Sequence, residues 1–174
     1  MVSNSIAVAP AVPLGYALGG VLERDDLQRR GLLYANALES LGGYVLCLGV
    51  TMGVKSLVQR PRPWVAYAGD LTCLQSVRSY SFPSGHTSSV FAMATSVALM
   101  QPQWYVVVPA YMWAGAVAFS RLYVGAHYPT DVIAGAAVGV GCALLAHAVR
   151  GCLFRGQQET PPPDMVLLPL TFRF

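Results

Sequence analysis

The sequence predicts an all-α fold, a polytopic bundle of transmembrane helices, and three observations carry that prediction. Charged residues make up 11% of the 174 positions, where soluble domains average about 25%. Hydrophobic residues make up 55%, and the mean hydropathy is positive. The apolar residues are gathered into five stretches separated by polar connections. A water-soluble domain of this length would need more polar surface than these residues supply; surrounding lipid removes the need.

The first stretch, Ser5 to Leu22, is interrupted by Pro10 and Pro13. The second, Gly31 to Val54, is the longest and carries one acid, Glu39. The third, Thr87 to Met100, is short, polar at its start and closed by a turn at Gln101 and Pro102. The fourth covers Trp104 to Phe119 and the fifth Val132 to Val149. A spanning helix takes about 20 residues, so the third and fourth qualify only if their ends extend into neighbouring polar residues. Gly135 and Gly139, with small residues around them, would let another helix approach closely, and Gly42, Gly43, Gly49 and Gly53 give the second stretch the same quality. Residues 1–150 are expected to form one membrane-embedded domain. Residues 151–174 are expected as a tail stiffened by Pro161, Pro162 and Pro163, with no assigned role.

Several function classes drop out. The net charge is +3 and the eleven basic residues are dispersed, which leaves no nucleic-acid footprint. The four cysteines, at 47, 73, 142 and 152, have neither zinc nor redox spacing. Cys47 and Cys142 lie in apolar stretches as small hydrophobes, so no structural disulfide is expected. No basic segment precedes the first apolar residues, so no cleavable signal peptide is expected.

Topology follows from counting crossings. The connections 55–86 and 120–131 are two crossings apart and share one side. Six basic residues fall on the opposite side (Arg24, Arg29, Arg30, Arg150, Arg155, Arg173) and five on this one. Three of those five, Lys55, Arg62 and Arg121, have a chemical explanation. Without them, the excess of basic residues on cytoplasmic segments sets the orientation. Arg24, Arg29, Arg30 and the tail then lie in the cytoplasm, and the two long connections face the extracytoplasmic side of the cell membrane.

Those connections hold nearly all the chemically capable side chains, in three blocks. The first is Lys55, six residues, Arg62 and Pro63. The second is Pro83, Ser84, Gly85 and His86. The third is Ser120, Arg121, five residues, His127, three residues and Asp131. Lys55, Arg62 and Arg121 would repel one another unless an anion sat between them, and a guanidinium fork suits a tetrahedral oxyanion. Ser84 and Gly85 stand where the third helix begins, so unpaired backbone N–H groups point outward there, and Gly85 lets that backbone come close to a ligand. His127 and Asp131 are four apart, with Pro129 suited to the first turn of the fifth helix. At that spacing the carboxylate can hold one ring N–H and leave the other nitrogen as a lone pair. Phosphoryl transfer requires an in-line nucleophile, charge stabilisation and a proton for the leaving oxygen. His127, the cradle of cations and backbone, and His86 fill these roles in turn.

Other polar residues receive plainer readings. Arg60 and Arg78 are expected to be solvated, and His147 to be a polar anchor near the membrane surface. Glu39 is expected either as a proton-relay residue or as a partner of Asn36 or of a neighbouring helix.

The three blocks resemble the signature of the type-2 phosphatidic acid phosphatase superfamily, lipid phosphate phosphatases that share a fold with vanadium haloperoxidases. Lys55, Arg62, Pro63, Pro83, Ser84, Gly85, His86, Ser120, Arg121, His127 and Asp131 match every fixed position of that pattern, and with the flanking helices the resemblance covers about residues 5 to 150. It implies that His127 attacks phosphorus and becomes a phosphohistidine, and that Asp131 orients it. His86 would protonate the leaving group and then activate water, while Lys55, Arg62, Ser84, Gly85 and Arg121 bind the phosphate oxygens. The implied enzyme is a phosphatase without metal or cofactor, acting in the bilayer on a polyprenyl diphosphate or a phosphatidyl phosphate. Membrane members usually have six spanning helices against the five stretches here; the sixth would precede residue 5. Two other readings use the same residues. A vanadate-dependent haloperoxidase would be expected to be soluble, which the low charge content opposes. A non-catalytic binder of lipid phosphates would have no use for intact His86, His127 and Asp131.

Overall fold

Asp26 opens the longest helix, α2 (Leu27–Val58), by accepting the backbone N–H groups of Gln28 and Arg29 at 2.9 and 3.0 Å. That satisfies two of the donors a helix start leaves open. The helix stops at Gln59, whose φ of 50° is left-handed, just before a Pro61 that could not continue it. The structure, a computed structural model, describes residues 10–67 and 79–153. Besides α2 it contains α1 (Ala11–Leu22), α3 (Pro63–Ala66), α4 (Gly85–Met100), α5 (Trp104–Tyr123) and α6 (Pro129–Leu153), with no strand among the described residues. Each of the five predicted stretches corresponds to one helix of at least 12 residues. The first residues of the first stretch, Cys73, Arg78 and the tail from residue 154 lie outside the described residues.

α4 is the centre of the bundle, packed against α2, α5 and α6, while α1 leans on α2. That position explains why its sequence looked marginal as a span. It does not lengthen into its polar flanks; Thr87, Ser88, Ser89, Thr95 and Ser96 are instead buried among the other helices. Ser88 bonds Thr51 of α2 at 2.9 Å, and Thr95 bonds Tyr111 of α5 at 2.9 Å. Two apolar clusters complete the core. One joins Tyr44 and Cys47 of α2 to Ala92 and Met93 of α4 and Cys142 of α6. The other joins Val90 and Ala94 of α4 to Ala114 and Val117 of α5. Among the described residues three segments, Leu27–Ala66 (α2 with α3), Trp104–Tyr123 and Pro129–Leu153, are long and apolar enough to cross a membrane. Leu38, Met112, Phe119, Ile133 and Leu145 are exposed on the outside of the bundle, the surface that lipid covers.

Helix boundaries differ from the sequence reading: α2 begins at Leu27 rather than Gly31, and α6 runs from Pro129 to Leu153, so residues 151–153 are helix and not tail. α2 continues through Lys55 to Val58, and α5 through Ser120 and Arg121 to Tyr123. Lys55 and Arg121 are therefore last-turn helical residues rather than parts of connections, and a cation there complements the negative end of the helix dipole.

The glycine expectation holds at specific positions. A Cβ on Gly135 would stand 2.7 Å from the Ser84 carbonyl oxygen, and one on Gly139 would stand 2.8 Å from the Ala92 nitrogen and also collide with the Ser88 carbonyl. α4 and α6 thus approach backbone to backbone. Gly43 faces Ala143 and Ala146 across the α2–α6 contact, whereas Gly42, Gly49 and Gly53 face open space and serve no packing role.

Glu39 has partners of the kind the pairing reading expects. Its carboxylate takes His147 Nδ1 at 2.8 Å and Arg150 Nη1 at 2.7 Å, while Asn36 Oδ1 accepts from the same Arg150 nitrogen at 2.6 Å. His147 is thus a bonded partner of Glu39 rather than a detached surface anchor. This polar clasp joins α2 to α6.

The α4–α6 contact gives a stability prediction. Gly139→Ala should lower stability by about 1–3 kcal/mol, since backbone on both sides must move. Gly141→Ala, with nothing within 4 Å of its added methyl group, should be neutral or slightly stabilising. Thermal unfolding of the two variants in detergent checks this; equal melting temperatures would contradict the close approach.

Candidate active site

The helix starts and ends assemble the site. α4 and α6 begin side by side, because the Ser84 N–H donates to the Asp131 carbonyl at 2.9 Å. α6 begins at Pro129, whose missing N–H costs nothing in a first turn. Its Asp131 is completely buried. Between α5 and α6 the chain turns at Gly125, which has a φ of 66° that a side chain would strain. That turn presents Ala126 and the buried His127 to the bundle end.

His127 lies between an acid and a base of fixed charge. Its Nδ1 is 3.5 Å from Asp131 Oδ2, long for a hydrogen bond but within ion-pair reach, and its Nε2 is 3.4 Å from Arg62 Nη1. Asp131 Oδ2 also accepts the Tyr128 N–H at 3.0 Å. An acceptor beside Nδ1 favours the tautomer with its proton there, leaving the Nε2 lone pair toward the cation. Burial lowers the His127 pKa below the ordinary histidine value; the Asp131 carboxylate opposes that shift, and the Arg62 and Lys55 cations add to it. At neutral pH the ring is uncharged.

Arg62 is locked in place. Its Nε donates to the Ser79 carbonyl at 2.7 Å, its Nη2 to the Ser79 hydroxyl at 2.9 Å and its Nη1 to the Ala126 carbonyl at 3.0 Å. Lys55, at the end of α2, donates to the Tyr80 carbonyl at 2.7 Å. A Cβ on Gly85 would lie 3.8 Å from Thr51 Cγ2 and 4.0 Å from Lys55 Cε. Such distances are ordinary contact, so glycine here keeps clear the space between the α4 start and the lysine. Arg121 is fully buried in the last turn of α5, with Nε and Nη2 on the Ser120 hydroxyl at 3.2 and 3.1 Å. His86 is half-buried in the first turn of α4, at the same bundle end as His127. Beside Arg62 a recess of about 250 Å³ is walled in part by Gln59, Pro61, Trp64 and Tyr80. The Trp64 indole N–H is buried with no hydrogen-bond partner.

Two sequence readings need correction. The Ser84 N–H is engaged by Asp131 and is no donor for an anion, so Ser84 can contribute only its hydroxyl, which already accepts from Thr87 at 3.0 Å. Gly85 begins an α4 first turn that has no side-chain cap. Arg60 is not a solvated bystander. Its Nη1 meets Asp131 Oδ1 at 2.8 Å and the Thr130 hydroxyl at 2.7 Å, and its guanidinium lies 3.8 Å from the centre of the Tyr128 ring. The only hint in the sequence was the repeated Arg-Pro of residues 60–63.

Fold and site together define a class: a helical membrane protein with the cations and histidines of three sequence blocks gathered at one end of the bundle. The chain belongs to the PAP2 superfamily, whose family model matches residues 34–154. This agrees with the resemblance carried by the three blocks. The chain is 43% identical over 93 residues to a lipid A 1-phosphatase of Rhizobium etli, covering 51% of this chain and 39% of that one. It is 31% identical over 112 residues to the undecaprenyl-diphosphatase BcrC of Bacillus subtilis, covering 64% and 54%. The chain thus spans well under two thirds of the length of these curated relatives. Its fold matches the crystal structure of a transmembrane PAP2-type phosphatidylglycerolphosphate phosphatase from Bacillus subtilis, with a TM-score of 0.67 and 20% identity over 87% of this chain and 76% of that one. It also matches LpxE of Aquifex aeolicus, with a TM-score of 0.61 and 21% identity over 80% and 87%.

The electrostatics of His127 can be measured without a substrate. In an imidazole NMR titration of the three histidines, His127 should titrate below the free-histidine value of about 6.5. Asp131→Asn should lower it further, because the carboxylate that favours the protonated ring is gone. A His127 value at or above that of free histidine would contradict the burial described.

Proposed function

We propose that this protein is a metal-independent lipid phosphatase working through a phosphohistidine. The observation that carries the proposal is the setting of His127, with one ring nitrogen toward a buried carboxylate and the other toward the Arg62 guanidinium. In the first step the Nε2 lone pair attacks phosphorus and the bond from phosphorus to the leaving oxygen breaks. Protonated His86 gives its proton to that oxygen. In the second step neutral His86 takes a proton from water, the oxygen attacks phosphorus, and the phosphorus–nitrogen bond breaks to release phosphate. Asp131 orients His127 and stabilises it when it carries charge. Lys55, Arg62, Arg121, the Ser84 hydroxyl and the Gly85 backbone hold the three equatorial oxygens, where charge accumulates.

The relatives are named as lipid A phosphatases and undecaprenyl-diphosphatases, which supports a lipid carrying a phosphomonoester or diphosphate as substrate. Polyprenyl diphosphates and phosphatidyl phosphates are the leading candidates. An apolar chain can stay in lipid against the outer faces of the helices while its head group reaches the bundle end. Arg24, Arg29, Arg30 and Arg150 lie toward the opposite end, which supports a cytoplasmic-membrane enzyme with its site on the extracytoplasmic side. Among the described residues no group of three or more His, Cys, Asp or Glu could hold a metal ion, in keeping with charge stabilisation by arginine and lysine. The low charge content favours this reading over a soluble haloperoxidase.

The deciding measurement is phosphate release by the purified protein from a polyprenyl diphosphate, phosphatidic acid, phosphatidylglycerol phosphate and a water-soluble ester. Absence of release from all of them would count against the polyprenyl and phosphatidyl substrates. His127→Ala should abolish turnover and acid-quenched phosphoenzyme alike. His86→Ala should slow turnover by about 10²–10⁴-fold, with phosphoenzyme accumulating when the leaving group is good. Near-normal activity in His127→Ala would remove the nucleophile assignment. Chelator treatment should leave the rate largely unchanged, and a strict metal requirement would count against the mechanism.

A further inference from the structure

We propose that Arg60 is a positioning residue of this site: it holds Asp131 as a carboxylate in one orientation, so that Asp131 can fix the imidazole of His127. The inference rests on the reading of His127 as nucleophile and Asp131 as its orienting acid. It assigns a role to a side chain at a variable position of the first sequence block, between Lys55 and Arg62.

The argument begins with burial. Asp131 has no exposed surface, and an ionised carboxylate away from water needs an opposite charge and filled acceptor positions. Its two oxygens are divided between different donors. Oδ2 takes the Tyr128 N–H at 3.0 Å and faces His127 at 3.5 Å. Oδ1 takes Arg60 at 2.8 Å. Neutral His127 supplies no charge in the resting site, whereas Arg60 supplies a permanent one. With Arg60 on Oδ1, the carboxylate is kept an acceptor and its plane is fixed, so the proton of His127 stays on Nδ1 and the lone pair on Nε2.

Arg60 is itself held. Its guanidinium lies 3.8 Å from the centre of the Tyr128 ring, a cation–π distance, and the nitrogen that meets Asp131 also donates to the Thr130 hydroxyl at 2.7 Å. The carbonyl of the same residue accepts the Ser81 N–H at 2.9 Å. Arg60 therefore ties the segment after α2 to the turn that carries His127, on the carboxylate side of the ring. Arg62, two residues later, reaches that turn on the Nε2 side. One short segment grips the nucleophile's support from both directions. A Lys at 60 would keep the charge but lose the flat face that stacks on Tyr128.

The test is a double-mutant cycle on full-length protein in detergent, using farnesyl diphosphate and dioctanoyl phosphatidic acid and following whichever the parent hydrolyses. Arg60→Gln should lower kcat by about tenfold to a hundredfold, the usual cost of losing an outer partner that orients a reactive group, with KM changed less than about twofold. Arg60→Lys should recover part of the loss. In an Asp131→Asn background, Arg60→Gln should cost little more, because its effect runs through Asp131. Multiplying losses in the double variant, or a rise in KM without loss of kcat, would overturn the inference; the first indicates a general structural role and the second a phosphate ligand. Should Arg60→Gln not fold, Arg60→Lys alone and with Asp131→Asn carries the same comparison. If His127→Ala and Asp131→Asn themselves retain activity, the site reading fails and not merely this part of it.

Discussion

The seating of α4 against α6, backbone to backbone, is the constraint on which the rest of the structure depends. Helix starts expose unpaired N–H groups and a partial positive charge. Two such starts can share one small volume only if their backbones come close. Gly135 and Gly139 allow this, since a methyl group on either would run into the carbonyl or amide backbone of the opposing helix. The bond from Ser84 to the Asp131 carbonyl then sets the register. With that register fixed, His86, one residue into α4, and His127, two residues before α6, belong to the same end of the molecule. No local feature of either histidine could have arranged this alone.

The same contact accounts for the composition of α4. A helix surrounded by three others gains little from large apolar side chains, because small residues let neighbours approach and their dispersion contacts replace bulk. Serines and threonines are tolerable in a membrane interior where they bond to a preceding carbonyl or a neighbouring hydroxyl, as Ser88 does with the Gly85 carbonyl and Thr51, and Thr95 with Tyr111. Low hydropathy in the middle of a membrane protein is thus the mark of a central helix.

How much of this was legible in the sequence depended on whether the signal was local. Five helices could be read because each is a run of apolar residues bounded by proline, glycine or charge. The His127–Asp131 pair was legible because a four-residue spacing at a Pro129 helix start has few geometric solutions. Helix ends were less so: Lys55 and Arg121 look like connection residues because charge usually marks a boundary, yet both ride on last turns that face a polar site. Ser84 was half legible, since its place at a helix start is local while the use of its N–H by Asp131 depends on a residue 47 positions away. Arg60 and Glu39 were hardest, because an arginine in a loop and an acid in a span take their meaning from partners 71 and 108 positions distant.

Those last two residues also show how one bundle can contain two polar clusters with different purposes. Glu39 and Lys55 stand sixteen residues apart on α2, and His147 and Asp131 sixteen apart on α6, about 24 Å at 1.5 Å per residue. At the Glu39 end, one carboxylate meets Arg150 and His147 at 2.7 and 2.8 Å: acid and base are matched, and the result is a clasp. At the other end Asp131 is the acid among the described residues, and Arg60 already meets it. Lys55 and Arg62 there are steered by carbonyls and a hydroxyl, neutral acceptors that fix a cation in place without cancelling its charge. A matched cluster gains nothing from an incoming anion, whereas an excess of positive charge fixed in advance loses little by waiting for one. Holding cations ready in this way, on groups that need not reorganise when the charge arrives, is what electrostatic stabilisation of a phosphoryl group requires.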